Sequence, residues 1–226
     1  MDAVTATATA TDLAIAGSKP ADCEEIGDDF HPFALALGSP ESRASLANLA
    51  EILDTPRPES TQAVQRLLDR YSERLLSPIE LPAVRDAYHH VARGEIRELV
   101  RLDRRLRQAL GDAALADASR HLGRLQLRRL RPLRSRPLQR YLEAVEAGQA
   151  PGCHVVVFGV LLALFSLPLR QGLAHYALRT QHALLESSLL GLRFTAADRL
   201  RLRDTCAARV GPAVRETIPP GPFGTD

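Results

Sequence analysis

The sequence Cys153-His154-Val155-Val156-Val157-Phe158-Gly159 opens the most apolar stretch of the chain, which continues to Leu190. No charged side chain occurs from Val155 to Leu167, but Pro168 ends the run before it reaches the ~20 residues that a bilayer-spanning helix needs. We therefore predict a buried helix, followed after the proline by a second long helix. Glycine inside a helix costs about 1 kcal/mol relative to alanine, so Gly159 predicts a close approach by another helix.

The composition favours an all-α fold. Aromatic residues make up only 4% of the 226 residues, whereas Leu, Ala and Arg are abundant, and this balance favours helices over sheets. Periodic apolar positions predict about nine helices in a single compact array around the central apolar helix pair. We predict this domain over residues 30–217, with a disordered Ala/Thr-rich and acidic tail at 1–29 and a Pro/Gly-rich tail at 218–226.

Serine, threonine or aspartate N-caps and proline or glycine stops mark most of the predicted helix boundaries. The predicted starts lie at Ser39-Pro40, Ser60, Asp112 and Thr195, the last with Asp198 in the position of a capping box. The predicted ends lie at Ser77-Pro78, Gly94, Gly111, Gly148 and Gly191.

Charge and cysteine usage limit the classes of function. The formal net charge of +2 is too small to imply a nucleic-acid partner. Three widely spaced cysteines predict neither a disulfide framework nor a zinc site. The N-terminus lacks the basic and apolar regions of a secretory signal, so we expect a cytoplasmic protein that does not enter the membrane.

A dense basic run occupies the middle of the chain. It contains Arg120, Arg124, Arg128, Arg129, Arg131, Arg134, Arg136 and Arg140. No aromatic residues interleave with these arginines for base stacking, which argues against a nucleic-acid surface. We interpret the run as a solvated face whose arginine stems cover apolar surface, with an acidic protein partner as the next interpretation.

No catalytic motif of the GxSxG, HExxH or GxGxxG type occurs, and we predict that the protein is not an enzyme. On the second apolar helix, His175, Arg179, His182 and Glu186 recur at intervals of four, three and four residues and so form one polar stripe. This stripe is either the solvent-facing side of the helix or a strip that faces a partner or a water-filled passage. In the second case His175, His182 and Glu186 are candidates for transient contact with a metal ion.

Two segments resemble the UreF family of urease accessory proteins. Ala118-Ser119-Arg120-His121-Leu122-Gly123-Arg124 looks like the Ser-Arg-x-x-Gly segment of that family, and His154–Gly159 is similar to its His-x-x-Val-Val-x-Gly helix. The resemblance covers roughly residues 80–217, including Ala174 and Tyr176 in the next long helix. The N-terminal part departs from the family pattern, because Gly38-Ser39-Pro40-Glu41 lacks the family's aromatic residue.

The resemblance implies a non-catalytic, all-α homodimer without a cofactor of its own. Similar proteins join UreD (also called UreH) to the GTPase UreG and deliver nickel to apo-urease, so the complex handles the nickel. The resemblance places partner binding in the two segments and the long helix after them, at Ser119, Arg120, Gly123, Arg124, His154, Tyr176 and Arg179. The alternatives are a helical ligand-binding or regulatory domain unrelated to urease, and a helical metalloenzyme, which would need inward carboxylates from several helices.

Overall fold

A computed structural model describes residues 42–111, 113–189 and 194–218, with the backbone alone for residues 42–46. The predictions for the tail at 1–29, for the segment 30–41 and for residues 219–226 lie outside these residues. The predicted boundaries at Ser39-Pro40, Asp112 and Gly191 also lie outside them.

The part of the chain that the structure describes is mostly helical and contains no strand, which confirms the all-α prediction. Its α-helices are α1 (Ser42–Ile52), α2 (Thr61–Tyr71), α3 (Leu81–Ala92), α4 (Ile96–Ala109), α5 (Ala113–Leu130), α6 (Arg136–Glu146), α7 (His154–Leu164), α8 (Leu169–Leu189) and α9 (Ala196–Thr217). A π-helical segment, Ser72–Glu80, joins α2 to α3 without a break.

Capping interactions confirm several predicted boundaries. The Ser60 hydroxyl oxygen accepts a hydrogen bond from the Ala63 amide at 3.2 Å, which satisfies one of the free donors at the start of α2. Thr195 and Asp198 form the predicted capping box at the start of α9. Glycines in the left-handed conformation, with φ of +69° to +71°, follow α3, α4 and α6 at Gly94, Gly111 and Gly148.

The predicted end of α2 at Ser77-Pro78 is wrong, because the helix continues through Pro78 as the π segment. In an α-helix the proline ring would clash with the carbonyl group four residues earlier. In the wider π turn an amide bonds to the carbonyl five residues back, as the Leu81 amide does with the Leu76 oxygen, and the ring is accommodated. Residues 61–92 therefore form one continuous rod.

Helix α7 lies at the centre of the array. Its residues Val155, Val156, Val157 and Val160 are at most 2% exposed, and the helix packs against α3 and α5. The backbone of α3 comes so close to Gly159 that a Cβ atom at this position would lie 2.5 Å from a carbonyl oxygen of α3. The close helix approach that the glycine predicts is therefore confirmed.

Helices α7 and α8 are the predicted apolar pair, and the contacts between them are made by side chains. The rings of His154 and Tyr176 stack with centroids 6.1 Å apart at one end, and Leu162 packs onto Gly172 towards the other. Helix α8 also packs against α9 and α3. Among the described residues, no helix combines the length and the apolar character required to span a membrane.

Candidate functional site

The two segments that carry the family resemblance meet where α5 packs against the start of α7. Ser119 is 2% exposed, and its hydroxyl oxygen accepts a hydrogen bond from the His154 amide at 3.1 Å. This bond satisfies one of the free amides in the first turn of α7. Gly123 lies one turn further along α5, where a side chain would overlap the Gly152 carbonyl oxygen. The serine and the glycine thus form a face on which the backbone of residues 152–154 rests.

The two arginines of the same segment make different contacts. Arg124 donates a hydrogen bond from Nε to the Pro151 carbonyl oxygen at 3.0 Å, which adds a second link between α5 and this loop. Arg120 instead pairs with Asp117 at 3.1 Å, and 37% of its side chain is exposed. Asp117 also pairs with Arg107 of α4 at 3.7 Å. Arg120 therefore presents a charged group at the surface of the junction.

A buried carboxylate on α4 holds the same loop. Asp103 is 0% exposed, and its oxygens accept hydrogen bonds from the Gly152 amide at 2.7 Å, the Cys153 amide at 3.0 Å and the Tyr141 hydroxyl at 2.7 Å. Three donors offset the cost of burying this polar group. Burial, together with the neighbouring Asp103, raises the pKa of the Cys153 thiol, so the thiol stays protonated.

Asp103 is absent from the predicted site residues, although the sequence contains a signal for it. It lies four residues after Leu99 and three before Leu106, so it belongs to the apolar stripe of α4 rather than to its charged outer face. A single carboxylate on such a stripe indicates a buried acceptor with internal donors.

A chain of buried polar contacts leads from His154 to Glu80. The His154 Nδ1 atom lies 3.0 Å from the Gln126 Oε1 atom, and the imidazole ring stacks on Tyr176. The Tyr176 hydroxyl donates a hydrogen bond to a Glu80 carboxylate oxygen at 3.1 Å. Burial lowers the pKa of His154 to about 4, so its ring is neutral at pH 7. These contacts connect α5, α7, α8 and the π segment.

Glu80 is the last residue of the π segment and is 3% exposed. Burial raises the pKa of its carboxyl group to about 7, while hydrogen bonds from Tyr71 and Tyr176 oppose that shift because they stabilise the charged form. The predicted break at Ser77-Pro78 hides Glu80 from sequence reasoning. Its helical position is visible only once the chain is known to continue past the proline as a π turn.

The residues predicted to bind partners fall into two groups. The first group is buried and makes the internal contacts described above: Ser119, Gly123, His154 and Tyr176. The other group keeps part of each side chain exposed: Arg120, Arg124 and Arg179. Partner binding stays a prediction for both groups, and the buried group also holds α5, α7 and α8 together.

The predicted polar stripe on α8 changes its environment along the helix. His175 is exposed, and its ring lies parallel to that of Phe158 with the centroids 6.4 Å apart. Arg179 and His182 are partly buried. The stripe therefore meets solvent at its N-terminal end and is partly buried in its middle.

At its C-terminal end the stripe contacts α9. The Glu186 carboxylate accepts a hydrogen bond from Arg203 at 2.6 Å and pairs with Arg199 at 3.5 Å. In the described ranges, no three His, Cys, Asp or Glu side chains come together as a group that could hold a metal ion. Transient metal contact stays a prediction for His175, His182 and Glu186.

Apolar side chains are exposed where α7 turns into α8. Phe165 is 54% exposed and Leu167 is 46% exposed, both in the short connection between the two helices. Phe158 and Leu161 extend this surface along α7 and are partly exposed. We call these four residues the hairpin-tip surface. A helix that is apolar on every side is normally covered on every side, so this surface is suited to a further contact.

Comparison with known proteins gives one family. The model of the family described as UreF matches residues 59–189, which is more than half of the chain. The match runs from the start of α2 to the end of α8, so it includes the α5–α7 junction, Asp103 and Glu80. No curated protein matches the chain.

Proposed function

The chain belongs to the UreF family of urease accessory proteins, and from this premise we propose that it is a non-catalytic scaffold that joins UreD (UreH) to the GTPase UreG. In this role it promotes nickel insertion into apo-urease in the cytoplasm. The chain requires no cofactor of its own, because nickel is the cargo of the complex. The observation that carries the proposal is the family match over residues 59–189.

The α5–α7 junction supports a scaffold role because its parts are tied together by several independent contacts. Ser119 and Arg124 of α5 and Asp103 of α4 all bind the backbone of residues 151–154. A scaffold that binds one nucleotide state of a GTPase more tightly than the other shifts the equilibrium between the two states towards the one it prefers, by an amount set by the difference in affinity. Such discrimination needs a surface of fixed geometry, and these contacts fix α5 relative to α7.

Arg120 is the residue through which we propose that this junction contacts a partner. Arg107 offers a matched control, because both arginines are partly exposed and both pair with Asp117. Each alanine variant loses one surface ion pair with the same carboxylate, which is worth at most about 1 kcal/mol. Arg120→Ala should therefore keep the helical circular dichroism spectrum but fail to support nickel-dependent urease activation in a reconstituted system, whereas Arg107→Ala should support it.

The decisive measurement for the scaffold as a whole is co-purification of the wild-type chain with UreD (UreH) and UreG. A folded wild-type chain that captures neither protein would refute the proposed function. Full activation by Arg120→Ala, with capture intact, would refute only the role of Arg120.

We also propose that two copies of the chain associate through the hairpin-tip surface. A two-fold axis brings the same patch of both copies together, so the patch must be complementary to itself. An apolar patch meets this condition, whereas a patch of a single charge would repel its copy. Phe165 and Leu167 would lose their exposed apolar area on association, which is favourable by about 25 cal/mol per Å².

A further inference from the structure

The end of α5, the start of α6 and the turn between them carry a surface composed of arginines. This surface contains six arginines, all of them exposed: Arg128, Arg129, Arg131, Arg134, Arg136 and Arg140. We call them the arginine patch. The sequence contains no acidic residue between Asp117 and Glu143, so nothing in this stretch neutralises the patch.

The turn that carries the patch is held in place by internal contacts. The Gln139 side-chain amide donates hydrogen bonds to the Arg131 carbonyl oxygen at 3.1 Å and to the Leu133 carbonyl oxygen at 2.7 Å. Leu127 and Leu138, which flank the turn on α5 and α6, are 0% exposed. The arginine backbones therefore occupy fixed positions, and a partner would meet a surface that is already formed.

Most of the positive charge on the patch is not compensated. Arg131 pairs with Glu146 at 2.5 Å. Four other members have no ion pair or side-chain hydrogen bond within the described residues: Arg128, Arg134, Arg136 and Arg140. Arg136 and Arg140 lie one turn apart on α6, where like charges repel each other.

The start of α6 adds to the same positive potential. Ser135 precedes the helix but gives it no side-chain cap, and the first turn contains no acidic residue. Basic residues are unfavourable at a helix N-terminus, because the helix dipole is positive there. Arg136 lies at this end of α6, so the local structure favours an anion beside the patch.

We propose that the arginine patch is a docking surface for an acidic segment of a protein partner. Guanidinium groups match carboxylates in a planar, two-bond geometry, and the patch contains arginine alone and no lysine. No Phe, Tyr or Trp lies between Arg120 and Arg140 to stack on bases, which disfavours a nucleic acid. Leu133, at 37% exposure in the middle of the patch, provides an apolar contact of the kind that a peptide side chain can use.

The test compares two variants of the full chain with the same change in formal charge. In the patch variant, four arginines become glutamate: R128E, R134E, R136E and R140E. In the control variant, four exposed arginines of α2, the π segment and α4 become glutamate: R66E, R74E, R97E and R105E. The probe is a fluorescein-labelled decaglutamate peptide, and binding is measured by fluorescence anisotropy at physiological salt.

The wild-type chain should bind the peptide, the control variant should bind it within about threefold of the wild-type Kd, and the patch variant should bind at least about tenfold more weakly. Equal losses in both variants, or no binding by the wild type, would overturn the proposal. A short DNA duplex that displaces the probe at a lower concentration than unlabelled peptide does would also overturn it, by assigning the patch to nucleic acid. If the patch variant loses its helical circular dichroism spectrum, replacement of the same arginines by glutamine provides the comparison. The outcome is independent of whether the chain captures UreD or UreG.

Discussion

Replacing Gly159 with alanine should destabilise the protein, although alanine is the better helix former. In a helix interior, alanine is favoured over glycine by about 1 kcal/mol. At this position, however, the added Cβ atom would lie 2.5 Å from the Val84 carbonyl oxygen, 2.7 Å from the Ala87 Cβ atom and 3.2 Å from the Tyr88 amide nitrogen. Ordinary contacts between non-bonded heavy atoms are about 3.5–4.0 Å, so α3 and α7 must move apart by roughly 1 Å.

The size of the effect follows from which atoms are in the way. Two of the three neighbours of the added atom belong to the backbone of α3, so no change of side-chain rotamer relieves the overlap. Overpacking a core costs about 1–3 kcal/mol, and a contact with backbone at the central helix belongs at the upper end. After the gain in helix propensity is subtracted, the free energy of unfolding should fall by about 2 kcal/mol. For a chain of this size the melting temperature should fall by about 4–8 °C.

Thermal and urea unfolding, followed by far-ultraviolet circular dichroism, measure this loss. Gly211→Ala is the matched control, because Gly211 also lies inside a helix and an added Cβ atom would meet only the flexible end of Arg215 at 3.4 Å. Its stability should change by less than about 1 kcal/mol, since the gain in propensity is partly offset by the following proline. A melting temperature of Gly159→Ala at or above that of the wild type would refute the reasoning.

Three further perturbations test other parts of the structure. Asp103→Asn leaves one buried donor unpaired, so it should lower the free energy of unfolding by about 2–3 kcal/mol in urea titrations. Tyr141→Phe removes only one donor to the carboxylate and should lower the free energy of unfolding by about 1 kcal/mol. Equal losses in the two variants would contradict the role of the carboxylate as the shared acceptor. The raised pKa of Glu80 makes stability fall as pH rises from about 4.5 to 7, and the lowered pKa of His154 makes stability fall as pH drops from about 6.5 to 4. Urea titrations across this pH range should therefore show that Glu80→Gln gains stability relative to the wild type as pH rises. In the same titrations, His154→Gln should gain stability relative to the wild type as pH falls. Plots of unfolding free energy against pH that run parallel for wild type and variants would contradict both assignments. Phe165→Glu should convert a dimer into a monomer in sedimentation velocity without loss of helical signal, and a wild-type chain that is already monomeric would contradict the proposed association through the hairpin-tip surface.

Local signals explain why most of the helix boundaries could be predicted. A cap such as Ser60 and a left-handed glycine such as Gly94 act on the turn next to them, so a few residues contain all the information. Pro78 misleads the same reasoning because its effect depends on the type of helix around it. The π turn that accommodates this proline brings Glu80 into the core, where one of its hydrogen-bond donors, the Tyr176 hydroxyl, comes from the distant helix α8.

The site itself depends on contacts between distant parts of the chain. The donors to Asp103 lie 38, 49 and 50 residues further along the sequence, so the sequence indicates a buried acceptor there but not which groups it binds. Similarly, Gly159 predicts a close helix approach, whereas the identity of α3 as the partner follows only from the packing. Periodicity within one helix cannot provide either pairing, because both are set by how helices pack together.

The resemblance places partner binding in two segments, and in the structure these segments bind each other. Ser119 holds the His154 amide, and Gly123 makes room for the loop before it, so substitutions at either residue should displace the start of α7. Displacing α7 also moves the hairpin-tip surface, because Phe158 and Leu161 lie on α7 and Phe165 and Leu167 follow directly after it. Loss of urease activation in a Ser119 or Gly123 variant would therefore report on the geometry of the scaffold as much as on a contact with a partner. Only a variant that keeps its stability, as Arg120→Ala should, can distinguish a contact residue from one that positions the contact.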